Sequence, residues 1–257
     1  MKMLKQFINL KKYYGFLFIF TVMFSPAECK KSRKLPADIK LCEKNDSQLD
    51  NCLINLFESL RPKLKEGIPE LDLAPLDPLI LKEVVVFPGG SNQMKAIGRD
   101  FKIIGMSNWK IKSLKTNIKK MEYEISIYFP YIQYEGSYDV NAKLSSLPVK
   151  GKGPISGNAT DVNINALLKG KFVEIEGEKF VEFTSAKVNI TVKDYSVKVE
   201  KLFPDEQLND AINKLLNDRR MQSMSASKQL MNKLAGNMIL QMVNKISMNL
   251  AFEEIFA

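Results

Sequence analysis

Side chains able to do acid–base or nucleophilic chemistry are scarce in this chain, and their types exclude most catalytic classes. There is no histidine in the 257 residues. That removes Ser-His-Asp and Cys-His nucleophiles, histidine-bearing zinc sites and imidazole proton shuttles. Glu122 and Glu124 could in principle serve as the acid and base of a glycosidase, but alternate charged residues on a strand read as its wet face. Gly151-Lys152-Gly153 and Gly89-Gly90 lack the spacing of a Walker loop or a dinucleotide fingerprint. The reading is a non-enzymatic protein with no catalytic residue, no cofactor and no metal site.

The compartment follows from the first 29 residues. Lys2, Lys5, Lys11 and Lys12 precede an apolar run from Tyr13 to Phe24, interrupted only by Gly15 and Thr21. This is the pattern of a signal peptide, and it falls short of the about 20 apolar residues that span a bilayer. Ser25-Pro26 and then Ala27-Glu28-Cys29 follow, so cleavage is expected after Cys29, or after Ala27 with Ser25 at the −3 position. Residues 1–29 are read as signal, and residues 30–257 as one secreted, extracellular domain without stable membrane insertion.

Losing four lysines and Glu28 takes the net charge from +9 to +6. The remaining lysines are scattered along the chain rather than clustered, and only Arg219-Arg220 comes close to an arginine cluster, so nucleic acid is not the expected partner. Cleavage after Cys29 leaves Cys42 and Cys52 in an oxidising compartment, where one disulfide is expected. Such a bridge restricts the unfolded chain by about 2.5–3 kcal/mol. Asn45, Asn158 and Asn189 each open a glycosylation sequon.

The elements that would position any site read as helix, long sheet, helix. Residues 46–66 repeat apolar positions at helical spacing, with Asp46 or Ser47 as cap and Pro62 near the end. Leu71 to Pro78 reads as an extended, proline-punctuated stretch along the surface or a domain edge. From Leu79 to Leu202, alternation such as Tyr123, Ile125, Ile127 and Phe129 marks antiparallel sheet with one dry side. Glycines from Gly98 to Gly177 read as turns or bends along it. Pro204-Asp205 then starts helix, with a first stripe from Leu208 to Leu216 and a broad second one from Leu230 to Leu250. The sheet's inner face is the expected partner of that wide apolar helix. The expected class is α+β: a long C-terminal helix wrapped by a highly curved antiparallel sheet.

Three blocks of residues, in order, resemble the insect takeout and juvenile-hormone-binding protein family over essentially the whole secreted length. The first runs through Leu35-Pro36, Cys42, Asn51-Cys52-Leu53, Leu60-Arg61-Pro62, Gly67-Ile68-Pro69-Glu70-Leu71 and Leu76-Asp77-Pro78-Leu79. The second comprises Phe129-Pro130, Tyr134, Gly136-Ser137-Tyr138 and Leu147 to Gly153. The third comprises Leu202-Phe203, Leu208, Asn213, Asn217 and the terminal Phe252 to Phe256. Arg219-Arg220 stands where members carry Trp, and Ala251 where they carry Pro.

The resemblance implies an elongated domain with an apolar tunnel that carries juvenile hormone or another lipid-like molecule. Its members are linked to feeding, circadian output, chemosensation and development. Candidate tunnel residues are Trp109, Ile127, Phe129, Tyr131 and Tyr138 from the sheet, with Tyr128 and Tyr134 as further hydroxyls. Met231, Leu234, Met238 and Met242 come from the helix, where methionine suits a variable ligand. The expected protein is a monomeric carrier of a small hydrophobic ligand, with any receptor unknown. Two other readings are an interaction protein with a vestigial pocket, acting by receptor or membrane contact, and an ester hydrolase, which the missing histidine disfavours.

Processing is directly testable. The secreted product should begin near Lys30, and its intact mass should rise by two hydrogens on reduction. Two free thiols per secreted chain would contradict the paired cysteines.

Overall fold

The structure is a computed structural model and describes residues 41–256 apart from 91, 92, 145 and 146. The signal segment and its cleavage sites lie outside the described residues. Helix α1 (Leu49–Glu66) is followed by strands β1 (Leu79–Gly90), β2 (Gln93–Ile104), β3 (Lys110–Asn117), β4 (Glu122–Leu144), β5 (Leu147–Ile175), β6 (Glu178–Thr191) and β7 (Asp194–Val199). Helices α2 (Glu206–Asp218), α3 (Arg220–Ser247) and α4 (Phe252–Ile255) complete the chain. The α+β expectation holds. One curled antiparallel sheet has the order β1-β2-β4-β5-β6, with β3 on β4 and β7 on β5.

Two strands set the frame. β4 has 23 residues and β5 has 29, and they pair continuously from Glu122↔Lys169 to Leu144↔Leu147. Midway, the buried parity switches. Ile125, Ile127 and Phe129 pack inward on the first half of β4, but Ile132 does so beyond it. On β5, Val162, Ala166 and Leu168 are buried, whereas Ala159 and Val149 take that role on the other half. Pro130 and Asp161 sit at the switch, with Asp161 at φ 51° and the Tyr128 hydroxyl donating to its carboxylate. A left-handed residue opposite a proline turns each strand over without breaking the ladder.

The glycines, expected at turns or bends of long curved strands, are used in two ways. Gly98 and Gly136 lie inside strands beneath the ring of Phe101, where a Cβ would come within 2.5 and 2.8 Å of ring carbons. Gly153 faces the Glu200 carbonyl at 2.1 Å from an added Cβ. These positions admit close approach of neighbouring chain; Gly105 and Gly177, at positive φ, are the ones needing left-handed backbone.

The outer edge of β6 and β7 is met by helix side chains. Asn209, Asn213 and Asn217 recur every fourth residue along α2, one face of a helix. Each accepts a backbone N–H and donates back to the same residue's carbonyl: Asn209 with Phe203, just beyond β7, at 2.9 and 2.9 Å, Asn213 with Val199 at 2.8 and 2.9 Å, and Asn217 with Val197 at 3.0 and 2.7 Å. On α3, Asn244 does the same to Phe183 at 2.7 and 2.8 Å, and Asn232 accepts from the Ile190 N–H at 2.9 Å. Between them Gly236 lets the helix approach Ala186, where a Cβ would stand 2.7 Å from the carbonyl oxygen.

This changes one expectation. A polar row of α3 meets the sheet at its edge, rather than the whole wide face packing on the inner side. The C-terminal stripes form two helices joined at Arg219, and Asp205 caps the first by accepting from Gln207 and Leu208 N–H groups at 2.8 and 3.3 Å.

At the other end, α1 starts at Leu49 without a side-chain cap, because the Asp46 carboxylate accepts from Gln48 instead. It runs through Pro62 to Glu66. The stretch after it is less exposed than expected, since Leu71 packs with Ile68 and Leu250 as buried core. Cys42 and Cys52 are bonded, and Cys42 also bridges Phe256, which ties the start of the described chain to its end.

The asparagine row makes a clean test. In Asn213→Asp the side chain still accepts from Val199 N–H but turns an acceptor toward the Val199 carbonyl. Losing one hydrogen bond and stranding that carbonyl should cost about 1–3 kcal/mol, measured as a lower urea midpoint with unchanged slope.

Candidate functional site

An apolar cavity of about 230 Å³ lies where α1, the β3–β6 end of the sheet and the C-terminal helices meet. Leu53 and Phe57 come from α1, Leu114 and Ile125 from β3 and β4, and Val181 and Phe183 from β6. Val243 and Ile246 of α3 and Phe252 and Phe256 of the terminal segment close it. The terminal rings are held by stacking: Phe252 lies 5.0 Å from Phe256 and 4.9 Å, edge-on, from Phe172.

The wall carries no charged side chain. Its polar groups are the Ser247 hydroxyl, which donates to the Val181 carbonyl at 2.6 Å, and Tyr123. The Tyr123 ring meets Phe183 at 5.5 Å, and burial raises its pKa, so the phenol stays neutral. Such a space offers burial of hydrocarbon and very little hydrogen bonding.

The expected tunnel residues fall into two groups. Trp109 and Phe129, 7% and 4% exposed, pack with Val162 in a separate core cluster against which Ile127 rests. Arg61 lies over the Trp109 ring at 4.6 Å, donates to the carbonyls of Ser107 and Trp109 at 3.0 and 2.7 Å, and pairs with Glu58. Asp77 accepts from the N–H groups of Gly105 and Ser107 at 3.0 and 3.1 Å and pins the same loop.

The tyrosines are largely committed elsewhere. The Tyr138 hydroxyl donates to the Glu200 carbonyl at 2.6 Å and that of Tyr134 to Ser196 at 3.2 Å. Burial pushes the Tyr134 pKa up to about 12. Tyr131, just past the parity switch, is 45% exposed.

The helix candidates stand closer to the cavity. Leu234, Met238 and Met242 form a four-residue row on α3 whose next member is Ile246, a cavity wall residue. Met231 begins the neighbouring row that runs on to Val243 and Ser247. All four candidates are half-buried. The sequence reading missed the α1 and terminal-phenylalanine walls, although Leu53, Phe57 and Phe252 to Phe256 stood out as a helix face and an end motif. Of the sequons, Asn45 and Asn189 are exposed, while Asn158 is half-buried in β5 between Gln133 and Ser196.

This architecture has a counterpart among known sequences. Residues 17–257 match the model of the haemolymph juvenile hormone binding protein (JHBP) family. The chain belongs to that family. It is similar to the circadian clock-controlled protein daywake of Drosophila melanogaster, 24% identical over 235 residues covering 88% of this chain and 89% of that protein. Daywake of Drosophila yakuba is 25% identical over 196 residues, 72% of this chain and 74% of that one. The crystal structure of Epiphyas postvittana Takeout 1 superposes with a TM-score of 0.68 at 20% identity, covering 85% of this chain and 99% of that chain. The JHBP fold is thus shared along nearly the whole length of that structure.

Filling the space tests whether it is empty. Val243→Phe should raise the melting temperature, because the added ring buries apolar surface in existing volume. If neighbours already occupy that volume, overpacking lowers stability by about 1–3 kcal/mol instead.

Proposed function

We propose that this protein is a secreted, non-enzymatic carrier that takes a small lipid-like molecule into the interior between α3 and the sheet. The ligand class is juvenile hormone or another terpenoid or fatty-acid-like compound. The observation that carries this reading is the uncharged cavity walled by aliphatic and phenylalanine side chains, in a chain of the JHBP family.

Size shapes the proposal. The cavity, at about 230 Å³, is below the roughly 300–1,000 Å³ of most small-molecule sites. An apolar end fills it, and the rest of the ligand lies along the α3 row past Met242 and Met238, whose flexible thioethers yield space. Burying ~15 carbons at ~0.8 kcal/mol each contributes ~12 kcal/mol, and association costs at least ~4, which leaves micromolar affinity or somewhat better. Tyr123 and Ser247 are the polar groups placed to favour a ligand with one oxygen function. Asn45 and Asn189 are the exposed candidates for glycosylation on the secretory route.

Titration with a fluorescent fatty-acid probe tests the reading. Met238→Ala and Met242→Ala should shift its affinity severalfold at modest cost in melting temperature, since each enlarges a ligand wall rather than opening a new void. Met238→Lys should abolish binding by placing an unpaired charge in an apolar site. Wild-type affinity in all three variants would remove α3 from the binding site.

A further inference from the structure

On a different face of the sheet, three cations converge on one carboxylate. Asp139, its side chain only 8% exposed, is paired by Lys95 at 2.6 Å, Lys152 at 3.1 Å and Arg99 at 3.6 Å. Lys150 lines the same shallow cleft. The strand register explains the grouping, because paired residues on neighbouring strands share a face. One row across the sheet runs Val85, Ile97, Asp139, Lys152, and the rows beside it run Lys95, Asn141, Lys150 and Glu83, Arg99, Ser137, Pro154.

The charge does not balance within the group. Lys95, Arg99, Lys150 and Lys152 face two carboxylates, Asp139 and Glu83, the latter 3.5 Å from Arg99. The hydrogen bond from Lys95, with support from Lys152, holds the Asp139 carboxyl at about 2, so it stays ionised at neutral pH. The excess positive charge therefore stands outward on long, flexible stems, with Lys152 74% exposed. Val85, 43% exposed, adds an apolar side chain to the same row.

We propose that this Lys95–Arg99–Lys150–Lys152 face docks the protein peripherally onto an anionic phospholipid surface. A single small anion fits the arrangement poorly. The point on which the cations converge already holds a carboxylate, which repels a second anion there. The cations are otherwise spread over three strands, about 4.8 Å apart across the sheet and roughly 6.8 Å between alternate residues along a strand. That spacing addresses many headgroups at once, each through a point charge. The surface is separate from the apolar cavity, so docking does not depend on whether the carrier reading holds.

Sedimentation of the secreted full-length product with phosphatidylcholine vesicles, with and without phosphatidylserine, tests the proposal. Binding should require phosphatidylserine and weaken as salt rises. The Lys150→Ala/Lys152→Ala pair removes two exposed cations while Asp139 keeps Lys95 and Arg99, and, with an unchanged urea midpoint as the check on folding, should reduce partitioning about 25-fold, at ~5-fold per cation. Removing the same charge elsewhere, with Lys214→Ala/Lys233→Ala on the helices, should leave partitioning within about twofold of wild type by the same distance dependence. Failure to bind phosphatidylserine vesicles overturns the proposal, as does equal loss in both double variants, which would assign the attraction to overall charge. So does stronger displacement by inorganic phosphate than by chloride at equal ionic strength, which would mark a small-anion site.

Discussion

The outer edge of β6 and β7 would expose a row of unpaired backbone N–H and C=O groups, and the helix asparagines meet many of them. An open edge invites pairing with another chain, while a buried one leaves polar groups unsatisfied. A primary amide solves both, since it carries a donor and an acceptor at the spacing of one strand residue. Asn209, Asn213, Asn217 and Asn244 each use both functions on one residue. Because this contact is polar, α3 is held to the sheet without burying its whole apolar face. The rows through Leu234, Met238 and Met242 and through Met231 and Val243 stay half-buried. The cavity lies at their end, where Val243 and Ile246 form part of its wall.

Much of the frame could be read from residue order. The period-two run Tyr123 to Phe129 gave its dry face correctly, because alternation on a strand needs no tertiary information. Asp205 capped a helix where a Pro-Asp start signal stood. Cys42 and Cys52 bonded, since they are near neighbours in a chain read as secreted. The parity switch was hidden: a proline at 130 and an aspartate at 161 are separated in sequence by a whole hairpin arm, and only the register sets them opposite. That switch put Tyr131 outside and Tyr138 against Glu200, a division alternation from Phe129 alone does not predict.

The asparagines were visible only as a family marker. Asn213 and Asn217 stood in the third block of the resemblance, and nothing local says that a strand edge lies alongside them. The cavity was still less legible, because a void depends on what fails to fill a space. The walls came from every layer: Leu53 before the sheet, Leu114 and Val181 within it, Phe252 after it. The methionine stripe lies on the same helix as Val243 and Ile246, which border the void, while none of its methionines is among the wall residues.

The central claim is that the interior beside α3 holds a lipid-like molecule. Native mass spectrometry of the protein as secreted by eukaryotic cells, compared with the same sample after organic extraction, addresses it most directly. The account predicts a folded population heavier by one discrete apolar molecule, which extraction removes and which rebinds on return. A single folded mass identical before and after extraction, with no mass added when terpenoid or fatty-acid ligands are supplied, would contradict it.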